Sequence, residues 1–355
     1  GQPSRPEQDA PCQRAMSTPS RPGSSSGGNR EYKLARKFGL EYEFGVSNEG
    51  DENQTRRQAA TMLAQRSGQP CTFEGYTHAV HNHWKVVTDS SVQVPNYTGL
   101  ELVSPILGGQ EGLNAMVRML QAVESMRPNV NKSAGHHVHI DGRDLTLLEV
   151  KKICACFIVY ERGFDILTSR SRQDTLNPYC QSNRAELIRS SGGTEAGALE
   201  RLRQATSMEQ VVAMMNPNVG QGRRYFKLNI TNLAPGGRNH GTIEFRQHQG
   251  TFEALKSMRW VELLQRFVEN ARKDDFIVPR ALPSNGALWL DMMYKKVMRK
   301  HLTEYYFQRL AQLDEQADQR GEPRVIRTTE QERRNLSQII NSTPRVGSRP
   351  STPRS

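Results

Sequence analysis

Residues 135–141 read Gly-His-His-Val-His-Ile-Asp, which places three imidazoles and a carboxylate in one short stretch of the chain. Successive side chains of a β-strand point to opposite faces of the sheet, so residues i and i+2 share a face. If this stretch is a strand, His137, His139 and Asp141 lie together, opposite two β-branched residues. These imidazoles would then either bind a metal ion or line the solvated face of an ordinary strand.

Three further segments alternate in the same way and predict strands with one apolar face and one charged face. If these strands join residues 136–141 in one sheet, their charged side chains line one side of it. The predicted charged face carries Glu41 and Glu43 from residues 38–45, Glu101 from 98–107, and Glu244, Arg246 and His248 from 241–248.

Carboxylates dominate this predicted face, and a cation is needed to neutralise them when they lie close together. A solvated face usually avoids like charges beside one another, whereas Glu41 and Glu43 share a face. Oxygen donors outnumber imidazoles and no cysteine joins them, so Mg²⁺ or Mn²⁺ fits better than Zn²⁺. For any single residue taken alone, an ordinary wet sheet face stays the alternative.

Arg246 adds a planar cation two residues after Glu244, with the geometry to bind phosphate through two hydrogen bonds. Carboxylates, a divalent ion and such an arginine together suggest a site for a nucleotide polyphosphate. The chain has neither a GxxxxGK[ST] motif nor a GxGxxG motif after a strand. We therefore expect ATP to lie on the sheet face, with its phosphates held by metal ions.

Five segments have apolar residues at helical spacing and predict the elements that support this sheet. Helices and strands are interleaved irregularly, which favours an α+β fold over a regular βαβ array. We expect an antiparallel sheet whose apolar face packs against helices. The predicted helices cover residues 54–68, 112–126, 145–170, 251–273 and 288–316.

The formal net charge of +11 suggests an anionic partner. Residues 320–355 hold eight arginines against three glutamates, so nearly half of the excess lies there and nucleic acid is disfavoured as a partner of the folded part. Both this segment and residues 1–30 predict disordered tails, and both contain Thr-Pro steps that suit proline-directed phosphorylation.

Cysteine usage and hydropathy indicate the cellular compartment of the protein. The five cysteines form no CxxC pair, which favours reduced thiols in an intracellular protein. No apolar run approaches the roughly 20 residues that cross a bilayer, and the N-terminus has no signal-peptide core. We expect a soluble cytoplasmic protein without membrane contact.

The order of these motifs resembles the amidoligase family, relatives of glutamine synthetase and glutamate–cysteine ligase among the ATP-dependent carboxylate–amine ligases. The resemblance covers about residues 36–272 and implies a curved antiparallel sheet that holds ATP and Mg²⁺ on its concave face, backed by helices. It would make 31–272 a catalytic domain and leave 273–319 as a helical extension. The motifs are GLEYEFG (39–45), TDSS (88–91), GLELVSPIL (99–107), AGHHVHID (134–141), SR with NPYC (169–180), NITNL (229–233) and GTIEFRQHQGTF (241–252).

The resemblance also implies a role for each matching residue. His139 would lie near the nucleotide phosphates, Arg246 would contact the γ-phosphate, and His136, on the opposite face, would be structural. Beside these matching residues, Arg170 is a further basic residue that could bind the nucleotide or orient the carboxylate or its acyl phosphate. Arg246, Glu43 and Glu244 would act at the reacting centre. The implied metal ligands are Glu41, Glu43, Asp89, Glu101, His137 and Glu244.

The implied activity is an ATP-dependent ligation that proceeds through an acyl phosphate. The carboxylate and amine substrates stay open, as small molecules or protein side chains, and so does the oligomeric state. One alternative is an ATP-dependent phosphotransferase on the same fold. A second is a non-catalytic interaction protein that uses its basic tails. A third is an iron oxygenase built on His-x-His, which leaves Glu41, Glu43 and Arg246 without a role.

Overall fold

The computed structural model of the chain describes residues 36–342 except positions 49, 78, 175, 237–239 and 278–280. In this part of the chain, seven strands form one sheet. They are β1 (Phe38–Ser47), β2 (Cys71–Phe73), β3 (Trp84–Val87), β4 (Tyr97–Val103), β5 (Gly135–Asp141), β6 (Leu228–Asn229) and β7 (Thr242–Gln249). The strand order is β2-β3-β4-β1-β5-β7-β6.

The sheet is antiparallel except for the β2–β3 pair, and the predicted α+β fold is confirmed. The central strand β1 shows why the chain folds this way. Its alternate residues Phe38, Leu40, Tyr42 and Phe44 are buried on one face, which satisfies the period of two in the sequence. The intervening glutamates are thereby forced onto the opposite face.

Helices cover the apolar face of this sheet. Those at the first four predicted positions, α1, α2, α3 and α7, are confirmed with shifts of a few residues. None of the helices in the described residues has the length and apolar character needed to cross a bilayer. The helices are α1 (Glu52–Ser67), α2 (Gly109–Ser125), α3 (Leu147–Asp165), α4 (Asn183–Ser190), α5 (Glu195–Gln204), α6 (Met208–Met215), α7 (Ala254–Ala271), α8 (Asn285–Met292), α9 (Lys300–Gln319) and α10 (Glu330–Ser342).

Helix α3 holds β7 in place, and β7 carries two of the predicted site residues. The helix begins with a capping box, in which the Thr146 hydroxyl accepts from the Glu149 N–H and the Glu149 carboxylate accepts from the Thr146 N–H. Further along, the rings of Phe157 and Phe164 lie 6.1 and 6.3 Å from the ring of Phe245 in β7. This aromatic cluster fixes which face of β7 is turned away from the helices.

The prediction of one helix over residues 288–316 is wrong. The structure has α8, a π-helical turn at Met293–Val297, and then α9. Met298 follows the turn with a φ of 56°, a left-handed conformation that cannot continue a helix. The break is stabilised from α7, because Asn270 donates to a carbonyl of the turn at 2.6 Å and Arg266 donates to another at 3.3 Å.

The prediction of a disordered tail from residue 320 is wrong for its described part. Arg324 is only 3% exposed and its guanidinium donates to the carbonyl of Ile166 at the end of α3. Helix α10 buries Leu336 and Ile340, one helical turn apart, and packs against α8. The segment is mostly polar, so its composition gave no indication of these few buried contacts. Residues 1–30 and 343–355, with their Thr-Pro steps, lie outside the described residues.

Arg324→Ala is expected to lower the free energy of unfolding by about 2–4 kcal/mol, because the buried Ile166 carbonyl and Asp314 lose a charged partner. Urea denaturation followed by circular dichroism measures this loss. The matched control is Arg320→Ala, which removes an exposed arginine at the end of α9. Equal denaturation midpoints for the two variants would show that the segment after α9 does not support the fold.

Candidate active site

The strand register brings the predicted carboxylates and imidazoles onto one face of the sheet. Residues directly opposed on antiparallel strands share a face and lie close together. This face is turned away from the aromatic cluster around Phe245, and we call it the charged face. Its cross-strand pairs are Glu43–Glu101 between β1 and β4, Glu41–His137 between β1 and β5, and His139–Glu244 between β5 and β7.

The first group on the charged face consists of Glu43, Asp89 and Glu101, whose nearest carboxylate oxygens lie within 4.8 Å of one another. Glu43 accepts a hydrogen bond from the Gly135 N–H at 2.6 Å. Asp89 is held in a turn, because its carboxylate accepts from the backbone N–H and the hydroxyl of Ser91, both at 2.7 Å. The side chains of Glu43 and Asp89 are therefore oriented by local contacts.

Electrostatics in the first group favour a bound cation. Burial raises the pKa of Glu101 well above its ordinary value, and the nearby carboxylates of Glu41, Glu43 and Asp89 raise it further. A divalent cation among these oxygens would remove the repulsion. The donor set contains oxygen only, which suits a hard ion such as Mg²⁺.

The second group consists of Glu41, His139 and Glu244, again with donor atoms within 4.8 Å of one another. Glu41 accepts from His139 Nε2 at 2.9 Å. Burial alone would raise the pKa of Glu41, but the imidazoles of His139 and His137 hold it well below its ordinary value. Burial alone would lower the pKa of His139, but Glu41 and Glu244 raise it to about 9. A proton on His139 thus balances the two carboxylates, and a metal ion could replace it.

His137 lies between the two groups. Its Nδ1 donates to Glu41 at 2.9 Å and lies 3.9 Å from Glu244, while its Nε2 lies 3.6 Å from Glu43. Gly135 makes room for this ring, since a Cβ at that position would come within 2.8 Å of His137 Nε2. The resemblance implied a metal-binding role for His137 and a phosphate-binding role for His139, and the structure places both against the same carboxylate.

Arg246 lies beside the second group. Its Nη1 donates to Glu244, its Nε donates to the Tyr179 carbonyl at 3.4 Å, and its guanidinium lies 5.5 Å from the centroid of the Tyr225 ring. Burial would lower the pKa of Arg246, but Glu244 and the neighbouring glutamates raise it instead. The guanidinium is therefore a fixed, permanently charged group at the edge of the two carboxylate groups.

The sequence that forms this arrangement matches a family model. A family model described as "putative amidoligase enzyme" matches residues 34–268, about two thirds of the chain. The chain belongs to this amidoligase family. A search of curated proteins finds no match to the chain. The amidoligase span includes all seven strands and all the predicted site residues, and it ends within α7.

Arg170, another predicted site residue, follows a residue that contacts the end of β7. It begins the short 3-10 turn Arg170–Arg172, and the backbone N–H of Ser169, just before this turn, donates to Gln249 at 3.1 Å. Gln249 lies five residues beyond Glu244 on β7. Arg170 therefore borders the far end of the amidoligase charged face, and its role in binding a nucleotide stays a prediction.

One residue that was predicted on the charged face, His248, lies on the helix side of the sheet. The pairing of β5 with β7 shifts between His136 and Val138, so that β7 has one extra residue at this point. His248 is therefore turned to the helix side, where its ring lies 5.6 Å from His136 and 5.2 Å from Trp260. The prediction that His248 shares a face with Glu244 is wrong, because simple alternation does not account for a bulge.

His136 is structural, as expected. Its ring stacks on Tyr42 at 4.4 Å, donates to the Glu41 carbonyl at 3.1 Å and lies 3.0 Å from the Ser257 hydroxyl. Burial lowers the pKa of His136 to about 3, so the ring is neutral. His136 therefore holds the backbone of β1 at Glu41, whose side chain belongs to the second group.

Lys85 and the positioning role of Asn229 were not predicted from the sequence. Lys85 opposes Val103, which in turn opposes Glu41, so this buried lysine lies on the charged face. Burial lowers the pKa of Lys85, although the glutamates nearby act in the opposite direction. Asn229 donates to Glu244 at 2.7 Å and so orients a predicted metal ligand. The short stretch Trp84–Val87 is apolar except for Lys85, so alternation gave no signal for the face on which Lys85 lies.

Proposed function

We propose that the protein is an ATP-dependent ligase that joins a carboxylate to an amine, with Mg²⁺, or Mn²⁺ in its place, bound on the charged face. Membership of the amidoligase family points to a ligase that forms amide bonds. The observation that carries the finer proposal is the pair of oxygen-rich groups on one sheet face, with Arg246 beside them. Two such groups suit the several metal ions that a nucleotide polyphosphate requires.

The residues present fit this assignment. Glu43, Asp89 and Glu101 would hold one ion, and Glu41 with Glu244 and an imidazole would hold another. Both donor sets are dominated by carboxylate oxygens, which Mg²⁺ prefers over nitrogen or sulfur. When bound, Mg²⁺ supplies positive charge that offsets the charge of the phosphates.

Arg246 would stabilise the phosphoryl group during transfer. The proposed first step is attack of a substrate carboxylate oxygen on the γ-phosphorus of ATP, which releases ADP and leaves an acyl phosphate. Charge grows on the leaving oxygen, and a fixed guanidinium stabilises it without having to reorganise. The contacts of Arg246 with Glu244, Tyr179 and Tyr225 support this role because they fix its orientation.

The second step is attack of an amine nitrogen on the acyl carbon, with loss of a proton and release of inorganic phosphate. A phosphotransferase on the same fold would instead leave the phosphoryl group on its acceptor. An amide product therefore separates the two functions. The nearby Arg224, which stacks on Tyr225 at 4.9 Å, is a candidate for binding the acid substrate.

Thermal unfolding of the full chain with ATP, with and without Mg²⁺, tests the proposal. A ligand at 100 times its Kd stabilises by about 2.7 kcal/mol, which corresponds to a melting shift of several degrees. We expect this shift only when both ATP and Mg²⁺ are present. ADP release on addition of a carboxylate and an amine then tests the ligation itself. The absence of a Mg²⁺-dependent shift would contradict the proposal.

Glu101→Gln sharpens the same experiment. Because the pKa of Glu101 is raised in the fold, its ionisation destabilises the folded state as the pH rises through that pKa. The amide cannot ionise, so the metal-free variant should melt roughly 2–4 °C above the wild type at pH ~8, yet lose the Mg²⁺-dependent shift. Glu124→Gln, at an exposed position on α2, is the control. A variant that keeps the Mg²⁺ shift would remove Glu101 from the metal site.

A further inference from the structure

A third group of possible metal ligands lies outside the two described above. Glu74 follows β2, and His81 and His83 precede β3, so the intervening loop brings one carboxylate and two imidazoles together. His81 Nε2 lies 2.9 Å from one Glu74 oxygen and His83 Nε2 lies 2.9 Å from the other. The three side chains are 20–32% exposed, so the group is sheltered but open to solvent on one side.

The geometry favours a cation between these atoms. The second ring nitrogen of His83 lies 3.3 Å from the Asn82 side-chain oxygen, which favours a proton on Nδ1 and leaves the Nε2 lone pair directed at Glu74. His81 Nε2 is enclosed, and within the described residues it makes no hydrogen bond of acceptable geometry despite its 2.9 Å approach to Glu74. Two imidazole nitrogens therefore converge on one carboxylate, an arrangement that a bound cation would stabilise.

The ligand types indicate which ion would bind. The Glu74 carboxylate is ionised at neutral pH, and it accepts a hydrogen bond from the Thr72 hydroxyl at 2.9 Å. Two histidines and one carboxylate form a usual protein ligand set for Zn²⁺, with water in the fourth position. Cys71 is close in sequence, but burial raises the pKa of its thiol to about 12 and it would not compete as a thiolate.

We propose that Glu74, His81 and His83 form a zinc site that fastens the loop between β2 and β3. The loop borders the charged face at two points. Lys85 donates from Nζ to the Ala79 carbonyl, and the Tyr76 hydroxyl accepts from Arg224. Zinc would thus stabilise one wall of the candidate active site. This inference is independent of the proposed ligase function, because it uses none of the residues assigned to ATP or Mg²⁺.

Zinc titration of the full-length protein tests the site. The protein is stripped with a chelator and titrated calorimetrically with ZnCl₂ in excess Mg²⁺, which occupies the oxygen-rich groups, and bound zinc is counted by mass spectrometry. We expect one equivalent in the wild type, and a loss of affinity of about 10²-fold or more in His81→Ala and in His83→Ala. Zinc should also raise the melting temperature of the wild type but not that of the double variant.

His301→Ala is the matched control. His301 on α9 also contacts a glutamate, with its Nε2 2.6 Å from Glu262. Among the described residues it belongs to no group of three possible ligands, so its loss should not affect zinc binding. Circular dichroism verifies that the loop variants are folded. Failure of the wild type to bind zinc, or full binding by the His81→Ala/His83→Ala double variant, would overturn the assignment. A Glu43→Gln variant that loses ATP turnover but retains its zinc equivalent would separate this site from the ligase site.

Discussion

Glu43→Gln is expected to lower Mg²⁺-dependent ADP release by at least about 10³-fold, since a metal ligand supplies several kcal/mol of stabilisation to the transition state. The substitution tests the negative charge of Glu43 separately from its structural hydrogen bond. Glu43 Oε2 accepts the Gly135 N–H, and the amide oxygen of glutamine can accept the same hydrogen bond. The variant loses only the negative charge that Glu43 contributes beside Asp89 and Glu101.

The assay for Glu43→Gln measures ADP release with a panel of carboxylates and amines, alongside circular dichroism for the fold. Glu262→Gln is the matched control, because Glu262 is also buried but binds Arg259 and His301 on the helical side of the molecule. We expect this control to retain turnover. Near wild-type turnover in Glu43→Gln would mean that the first carboxylate group does not take part in catalysis.

Arg246→Lys is expected to lower kcat by about 10²–10³-fold. The guanidinium has five donors in a planar fork, so it can hold Glu244 and the Tyr179 carbonyl and still face a phosphate. A lysine ammonium is a point charge and cannot contact Glu244, the Tyr179 carbonyl and a phosphate at the same time. It also loses the planar contact with Tyr225, which limits the orientation of Arg246.

The division of the Arg246→Lys effect between kcat and KM identifies the role of Arg246. If the arginine acts on the transferred phosphoryl group, kcat and kcat/KM for ATP fall together. A rise in KM with an unchanged kcat would instead assign Arg246 to ground-state binding and contradict the proposed mechanism. Arg184→Lys is the control, since Arg184 donates to Glu195 at 2.7 Å between α4 and α5, in a surface ion pair outside both carboxylate groups.

The four principal strands and the charged face could be predicted from the amino-acid sequence. Alternation is a local property, because each side chain of a strand points opposite to its neighbour whatever the rest of the chain does. Glu41 and Glu43 had to share a face once Phe38–Ser47 was a strand, and the same holds for His137 with His139. The amphipathic helices α2 and α7 were predictable for the same reason, with a period of 3.6 instead of 2.

The way in which these local elements meet depends on contacts between residues that are distant in the chain. The tertiary structure paired Glu43 with Glu101 and His139 with Glu244, which are far apart in the chain. It also inserted the bulge that turned His248 away from the charged face. Pairing register depends on contacts between strands, and one extra residue reverses every later side chain of that strand.

Three features of the fold depend on a few contacts between distant residues that leave no periodic signal in the sequence. The break after α8 is stabilised by side chains of α7, the segment after α9 by the buried Arg324, and the group at Glu74 by a loop that returns to β3. His81 and His83 are too isolated in the sequence to indicate a site. Only the folded chain supplies the carboxylate between them, because the distance that matters is measured through space and not along the chain.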